Sequence, residues 1–139
     1  LERFVADAIH AEIDAYRALP DFDPDVLASY FAEQAFNQLV TVLEGARRRG
    51  WTVGVPSTNP STYRILNTRV DRVGTHDARV VTREYVYLRW WSTRDERYTY
   101  PYRETNTQTY ILENTEHGWR IVQHLYPYPR TSTPNRRRR

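Results

Sequence analysis

Arg79-Val80-Val81-Thr82-Arg83-Glu84-Tyr85-Val86-Tyr87-Leu88-Arg89-Trp90-Trp91 is the stretch that decides the fold class. Alternation sorts it into two faces, the signature of an extended strand. Val80, Thr82, Glu84, Val86, Leu88 and Trp90 form one face, suited to packing against helices. Val81, Arg83, Tyr85, Tyr87, Arg89 and Trp91 form the other, in which aromatic bodies with polar tips are separated by arginines. Such a face either covers a solvated sheet, with arginine stems lying over the rings, or contacts a partner.

The period of two extends to both sides. Tyr63 to Val73, Arg79 to Trp91, Arg103 to Asn114 and Trp119 to Tyr126 are predicted as four strands. Gly74-Thr75-His76-Asp77, Thr93-Arg94-Asp95-Glu96 and Thr115-Glu116-His117-Gly118 are turn-forming clusters between them, and connections this short make neighbours antiparallel. In the last strand, alternation sets Trp119, Ile121, Gln123 and Leu125 against Arg120, Val122, His124 and Tyr126. Trp51-Thr52-Val53 suits a short edge strand at the head of a Gly- and Pro-containing connection.

Upstream the period is helical. Leu1, Val5, Ile9, Ile13 and Tyr16 share one face of a helix that Pro20 ends. A second helix opens at Asp23-Pro24-Asp25, with Asp23 as N-cap, Pro24 in the first turn and Asp25 at the positive end of the helix dipole. Leu27, Phe31, Ala35, Leu39 and Val42 form its stripe, widened by Phe36, Val40 and Leu43. Arg47, Arg48 and Arg49 suit its C-terminal end, and Gly50 closes it. Helices followed by strands predict α+β: two N-terminal helices packed on a curved antiparallel sheet of four or more strands. Residues 1–129 are expected to form this domain, and residues 130–139 an Arg-rich tail or linker.

The chain has 139 residues, a one-domain length, with 40% hydrophobic and 14% aromatic residues, a folded composition. It has no cysteine, which excludes disulfides and thiolate metal sites. Subtracting the four arginines 136–139 from the net charge of +3 leaves −1, so the basic balance belongs to the tail and nucleic acid is not the expected partner. No apolar run is long enough to span a bilayer. Membrane contact is expected only through the Arg tail or parent segments outside this sequence, and a soluble domain, with the cytoplasm favoured, is the expectation.

Tyr110-Ile111-Leu112-Glu113, a short turn and Gly118-Trp119-Arg120-Ile121-Val122 form a C-terminal hairpin that resembles the nuclear-transport-factor-2-like (NTF2-like) superfamily. Within that group, the two helices and tyrosine-rich strands are similar to the accessory domain of plastid-division and cyanobacterial cell-division proteins, the IMS or ARC6-like domain. The resemblance runs from about Asp23 to Tyr126. It implies a helix-lined cone against a curved sheet, a tryptophan entering the core, and homodimerisation through the sheet in many members. Some members of the superfamily are enzymes on small apolar molecules; the ARC6-like branch is of the non-catalytic, peptide-docking type.

Two functions from different classes follow. The first is a non-catalytic protein-interaction domain of a larger polypeptide. A groove between sheet and helices, or the face carrying Arg83, Tyr85, Tyr87, Arg89 and Trp91, would receive a protein or peptide partner. The second is a small-molecule-binding domain or an isomerase/dehydratase-type enzyme. Glu12 lies inside the apolar stripe of the first helix, four residues before Tyr16 and on the same face. In NTF2-like isomerases and dehydratases the first helix can supply a tyrosine to a pocket containing an acid, so the resemblance implies Glu12 and Tyr16, with His124, as catalytic candidates for a small apolar ligand. The competing reading of Glu12 is a stripe-edge residue in solvent or paired with Arg83 or Arg89. His10, His76, His117 and His124 lack metal-ligand spacing, and neither a phosphate-cradling glycine loop nor a nucleophile elbow is present, so no metal and no cofactor is expected.

Overall fold

The computed structural model describes residues 1–125. The helical layer contains α1 (Glu2–Ala18), α2 (Pro24–Ala28) and α3 (Glu33–Arg49). They are followed by β1 (Trp51–Thr52), β2 (Thr62–Val73), β3 (Asp77–Leu88), β4 (Trp91–Ser92), β5 (Arg97–Tyr98), β6 (Tyr102–Thr115) and β7 (Gly118–Leu125). The architecture is α+β, with helices packed on antiparallel sheets. One sheet has the order β2-β3-β6-β7 and the other β1-β4-β5.

The caps form as their chemistry dictates. Asp23 accepts a hydrogen bond from the Asp25 amide at 2.9 Å, with Pro24 in the first turn of α2. Gly50 closes α3 in the left-handed region at φ 76°.

The helical stripe predicts one helix from Pro24 to Arg49, whereas the structure divides it. Residues between α2 and α3 leave the helix to pair in parallel with the edge of the sheet, Phe31 against Ile121. The Ala32 amide donates to the Ile121 carbonyl at 2.9 Å, and the Ile121 amide to the Tyr30 carbonyl at 2.8 Å. This pairing supplies partners to backbone groups that β7 would otherwise present as an open edge. The break also rotates the stripe. Val42 is 51% exposed, while Leu43 and Ala46 are buried.

In β3, Ala78, Val80, Thr82, Glu84, Val86 and Leu88 are buried under the helices, and Arg79 and Arg83 face solvent. Strand β3 ends at Leu88, so Trp91 belongs to the second sheet, where it meets Tyr98 edge-on at 5.1 Å. A bulge in the β6–β7 ladder pairs Ile111 with Gln123 but Leu112 with Ile121. The extra residue, Val122, breaks the alternation, so Ile121 and Val122 are both buried and His124 turns inward beside Tyr110. Trp119 packs half-buried against the core.

The small sheet is fastened to the end of α1. The Tyr16 carbonyl accepts from the Thr52 hydroxyl at 3.2 Å, and a Cβ on Gly54 would lie 2.1 Å from the Arg17 carbonyl oxygen. Only glycine permits that approach.

Candidate functional site

The concave face of the main sheet is more polar than a core sheet requires. Glu84 is 1% exposed. A buried carboxylate is costly without donors, and three hydroxyls point at this one. Tyr110 and Thr82 each donate to Oε2 at 2.5 Å, and Tyr63 donates to Oε1. Tyr63 comes from β2, Thr82 from β3 itself and Tyr110 from β6, so the network ties three adjacent strands together.

A second ladder runs along the inner face of β6, where alternation places every other residue inward. Tyr102 donates to Glu104. Asn106 donates to Glu104 at 2.7 Å, and Gln108 donates to Asn106 at 2.9 Å. Gln108 then meets Nε2 of His124. The His124 ring stacks on Tyr110 at 4.3 Å and 21°. These stacked rings join the ladder to the Glu84 network.

Glu12 and Tyr16 enter this interior from α1, with the Tyr16 hydroxyl donating to Glu12 Oε2 at 2.5 Å. Glu12, Tyr16 and His124 all line two small cavities, of about 60 Å³ and about 70 Å³. The first is closed by α3 residues including Gln38 and Leu39, the second by Tyr63, Val86, Leu88, Tyr102 and Gln108. The structure thus brings the three catalytic candidates together. The Glu12 pairing expected with Arg83 or Arg89 is not the one observed, because Arg83 lies on the opposite face of the sheet.

A much larger concavity lies elsewhere among the described residues. An open groove of about 750 Å³ is lined by Trp51, Trp90, Tyr98, Tyr100, Pro101 and Tyr102, with Asp95 and Arg97 at its polar part. It lies between the small sheet and the start of β6 and shares Tyr102 with the interior cavity. Trp90 is fixed at its base, 5.5 Å from Tyr16 and 6.3 Å from Trp51 between ring centroids. Tyr100 is 92% exposed.

The five residues read from the sequence as one docking face do not stay together. Arg83, Tyr85 and Tyr87 share the outer face of β3. Arg89 lies beyond the strand, over Tyr98 at 4.5 Å, with its Nε buried and lacking a hydrogen-bond partner. Trp91 is in the small sheet. The groove residues Tyr98 and Tyr100 and the interior residues Tyr63, Gln108 and Tyr110 are not picked out as site residues by sequence, where Tyr110 figures only in the C-terminal hairpin. Period-two alternation over Tyr102–Leu112 carries the signal for the β6 ladder, since it sets Tyr102, Glu104, Asn106, Gln108 and Tyr110 on one face.

Among the described residues, no group of three or more His, Asp or Glu side chains is arranged to hold a metal ion, and no helix is long and apolar enough to cross a membrane. No protein-family model and no curated protein matches the chain. Among solved structures, the crystal structure of the intermembrane space region of the chloroplast protein ARC6 is similar, with a TM-score of 0.60 at 13% identity. The alignment covers 91% of this chain and 95% of that one. At that identity the likeness is one of fold: this chain and the ARC6 region share a related α+β architecture.

Proposed function

We propose that this is a non-catalytic docking domain of a larger polypeptide, of NTF2-like type, which receives a partner's peptide segment in the aromatic groove between the small sheet and β6. The size of the concavities carries this reading. Sites for small molecules usually occupy roughly 300–1,000 Å³. The cavities around Glu12, Tyr16 and His124, at about 60 and 70 Å³, fall far below that range and leave no room for a substrate there, whereas the groove of about 750 Å³ is open to solvent and long enough to take side chains of a peptide segment. Tryptophan and tyrosine with one arginine are the residue types that dominate the energetics of protein interfaces. The ARC6 neighbour is itself a region of a protein, which fits an accessory role for a domain of this fold.

The test is selection of peptides from a display library on the purified domain, followed by affinity measurement with synthetic copies. Tyr100→Ala should weaken selected peptides by about tenfold or more, as loss of an interface anchor does. Glu12→Gln and Tyr16→Phe should leave affinity unchanged. Selected peptides that bind Tyr100→Ala as tightly as the parent would place docking outside the groove.

The convergence of Glu12, Tyr16 and His124 favours a second reading, a small-ligand site inside the cone. The cavities as they stand suit ordered water better than a substrate, since a water takes about 30 Å³. This reading requires a small apolar ligand that raises the melting temperature of the parent and not of Glu12→Gln.

A further inference from the structure

The outer face of the main sheet carries a second recognition surface, distinct from the groove. The strand register sets three cross-strand triplets side by side: Thr62–Tyr87–Arg103, Arg64–Tyr85–Thr105 and Asn67–Arg83–Thr107. Each contains one arginine, and none contains a carboxylate. Farther along the same sheet Arg69 and Arg79 reach Asp71, and Arg72 reaches Asp77. Among the described residues, Arg64, Arg83 and Arg103 have no carboxylate at ion-pair distance, and all three are exposed.

These arginines are not loose surface charges. The Arg64 guanidinium lies over the Tyr85 ring at 5.7 Å, and that of Arg103 over the Tyr87 ring at 4.5 Å. Arg83 is tied to the Thr107 hydroxyl at 3.3 Å. A guanidinium resting on a ring uses its π face there and keeps its N–H edge for planar, two-pronged recognition of an anionic oxygen pair. Tyr85 and Tyr87 are two residues apart on β3, about 7 Å along a strand. Side chains on one face of any extended peptide repeat at that same distance.

We propose that this face binds an extended acidic peptide segment whose carboxylates alternate along the chain, two of them seated on Arg64 and Arg103. The fit is one of charge, and the repeat of about 7 Å is that of the two rings on which the guanidinium groups rest, Arg64 reaching in from β2 and Arg103 from β6. The rings of Tyr85 and Tyr87 are covered by guanidinium groups and offer no platform for bases, which sets the face apart from the stacking surfaces that hold single-stranded nucleic acid.

The experiment uses fluorescence polarisation with a labelled twelve-residue peptide of alternating glutamate and threonine. Its controls are a peptide of the same composition with the glutamates in one block, a glutamine–threonine repeat and a twelve-nucleotide oligo-dT. The alternating peptide should bind at least about tenfold more tightly than the glutamine repeat and measurably more tightly than the block, with affinity falling as salt rises. Arg64→Gln with Arg103→Gln should lose about tenfold or more, while the groove variant Tyr100→Ala should bind the peptide like the parent. Amide shift changes in the parent, confined to β3 and its neighbours near Tyr85 and Tyr87, would support the assignment independently of any variant. It would be overturned by no binding, by undiminished binding in the double variant, by equal binding of the block peptide, by tighter binding of oligo-dT, or by a dimer in sedimentation velocity that the double variant dissolves, which would give the face to a second copy. Loss of binding in Tyr100→Ala alone would move acidic-peptide recognition into the groove and likewise refute it.

Discussion

Removal of the Tyr110 hydroxyl probes the Glu84 network most cleanly. Tyr110→Phe keeps the ring, and with it the stack on His124, and deletes one donor that Glu84 receives at 2.5 Å. Glu84 is 1% exposed, so water does not readily replace that donor. Leaving a buried polar group short of a hydrogen-bond partner costs about 1–3 kcal/mol. The expected loss is therefore about 2 kcal/mol in urea unfolding, and for a chain of this length a fall in melting temperature of roughly 5–10 °C. The same substitution in a Glu84→Gln background separates the hydrogen bond from generic effects of the ring. A neutral amide presents one acceptor oxygen and an NH₂ donor, so the Tyr110 hydroxyl has less to lose there. A double-mutant cycle should give a coupling of about 1 kcal/mol or more between the two positions. A Tyr110→Phe cost below about 0.5 kcal/mol, or strict additivity with Glu84→Gln, would refute the view that these hydroxyls hold the buried carboxylate.

The glycines provide a pair of substitutions with opposite signs. Gly54→Ala places a Cβ 2.1 Å from the Arg17 carbonyl oxygen, a backbone atom that cannot swing aside, and should cost about 1–3 kcal/mol in urea unfolding. Gly45→Ala sits inside α3, where the nearest atom, at 3.0 Å, is the tip of the flexible Arg49 side chain; it should stabilise by about 0.5–1 kcal/mol through helix propensity. Asp23→Ala removes the cap of α2 and should cost about 1 kcal/mol, with faster amide exchange at Asp25.

Much of this architecture is written in local periodicity. The four-residue spacing of Val5, Ile9 and Ile13 places α1 on the core and sets Glu12 and Tyr16 side by side. The Asp23-Pro24 start and the Gly50 stop mark the helical layer before any contact is known, because capping depends on residues only a few positions apart. Alternation in β3 settles which side chains meet the helices, Glu84 among them.

Tertiary structure decided what depends on partners remote in the chain. The stripe through Leu27, Phe31 and Ala35 is continuous in sequence, and only pairing of Phe31 with Ile121 breaks the helix. His124 and Ile121 have opposite parity, and only the bulge against β6 brings both inward. Trp91 continues the alternation of β3 but leaves it for the small sheet, so the groove beside that sheet is invisible to periodicity. Spacing along a chain encodes which face a residue shares, whereas pairing, bulges and cavities arise from backbone hydrogen bonds between segments far apart in sequence.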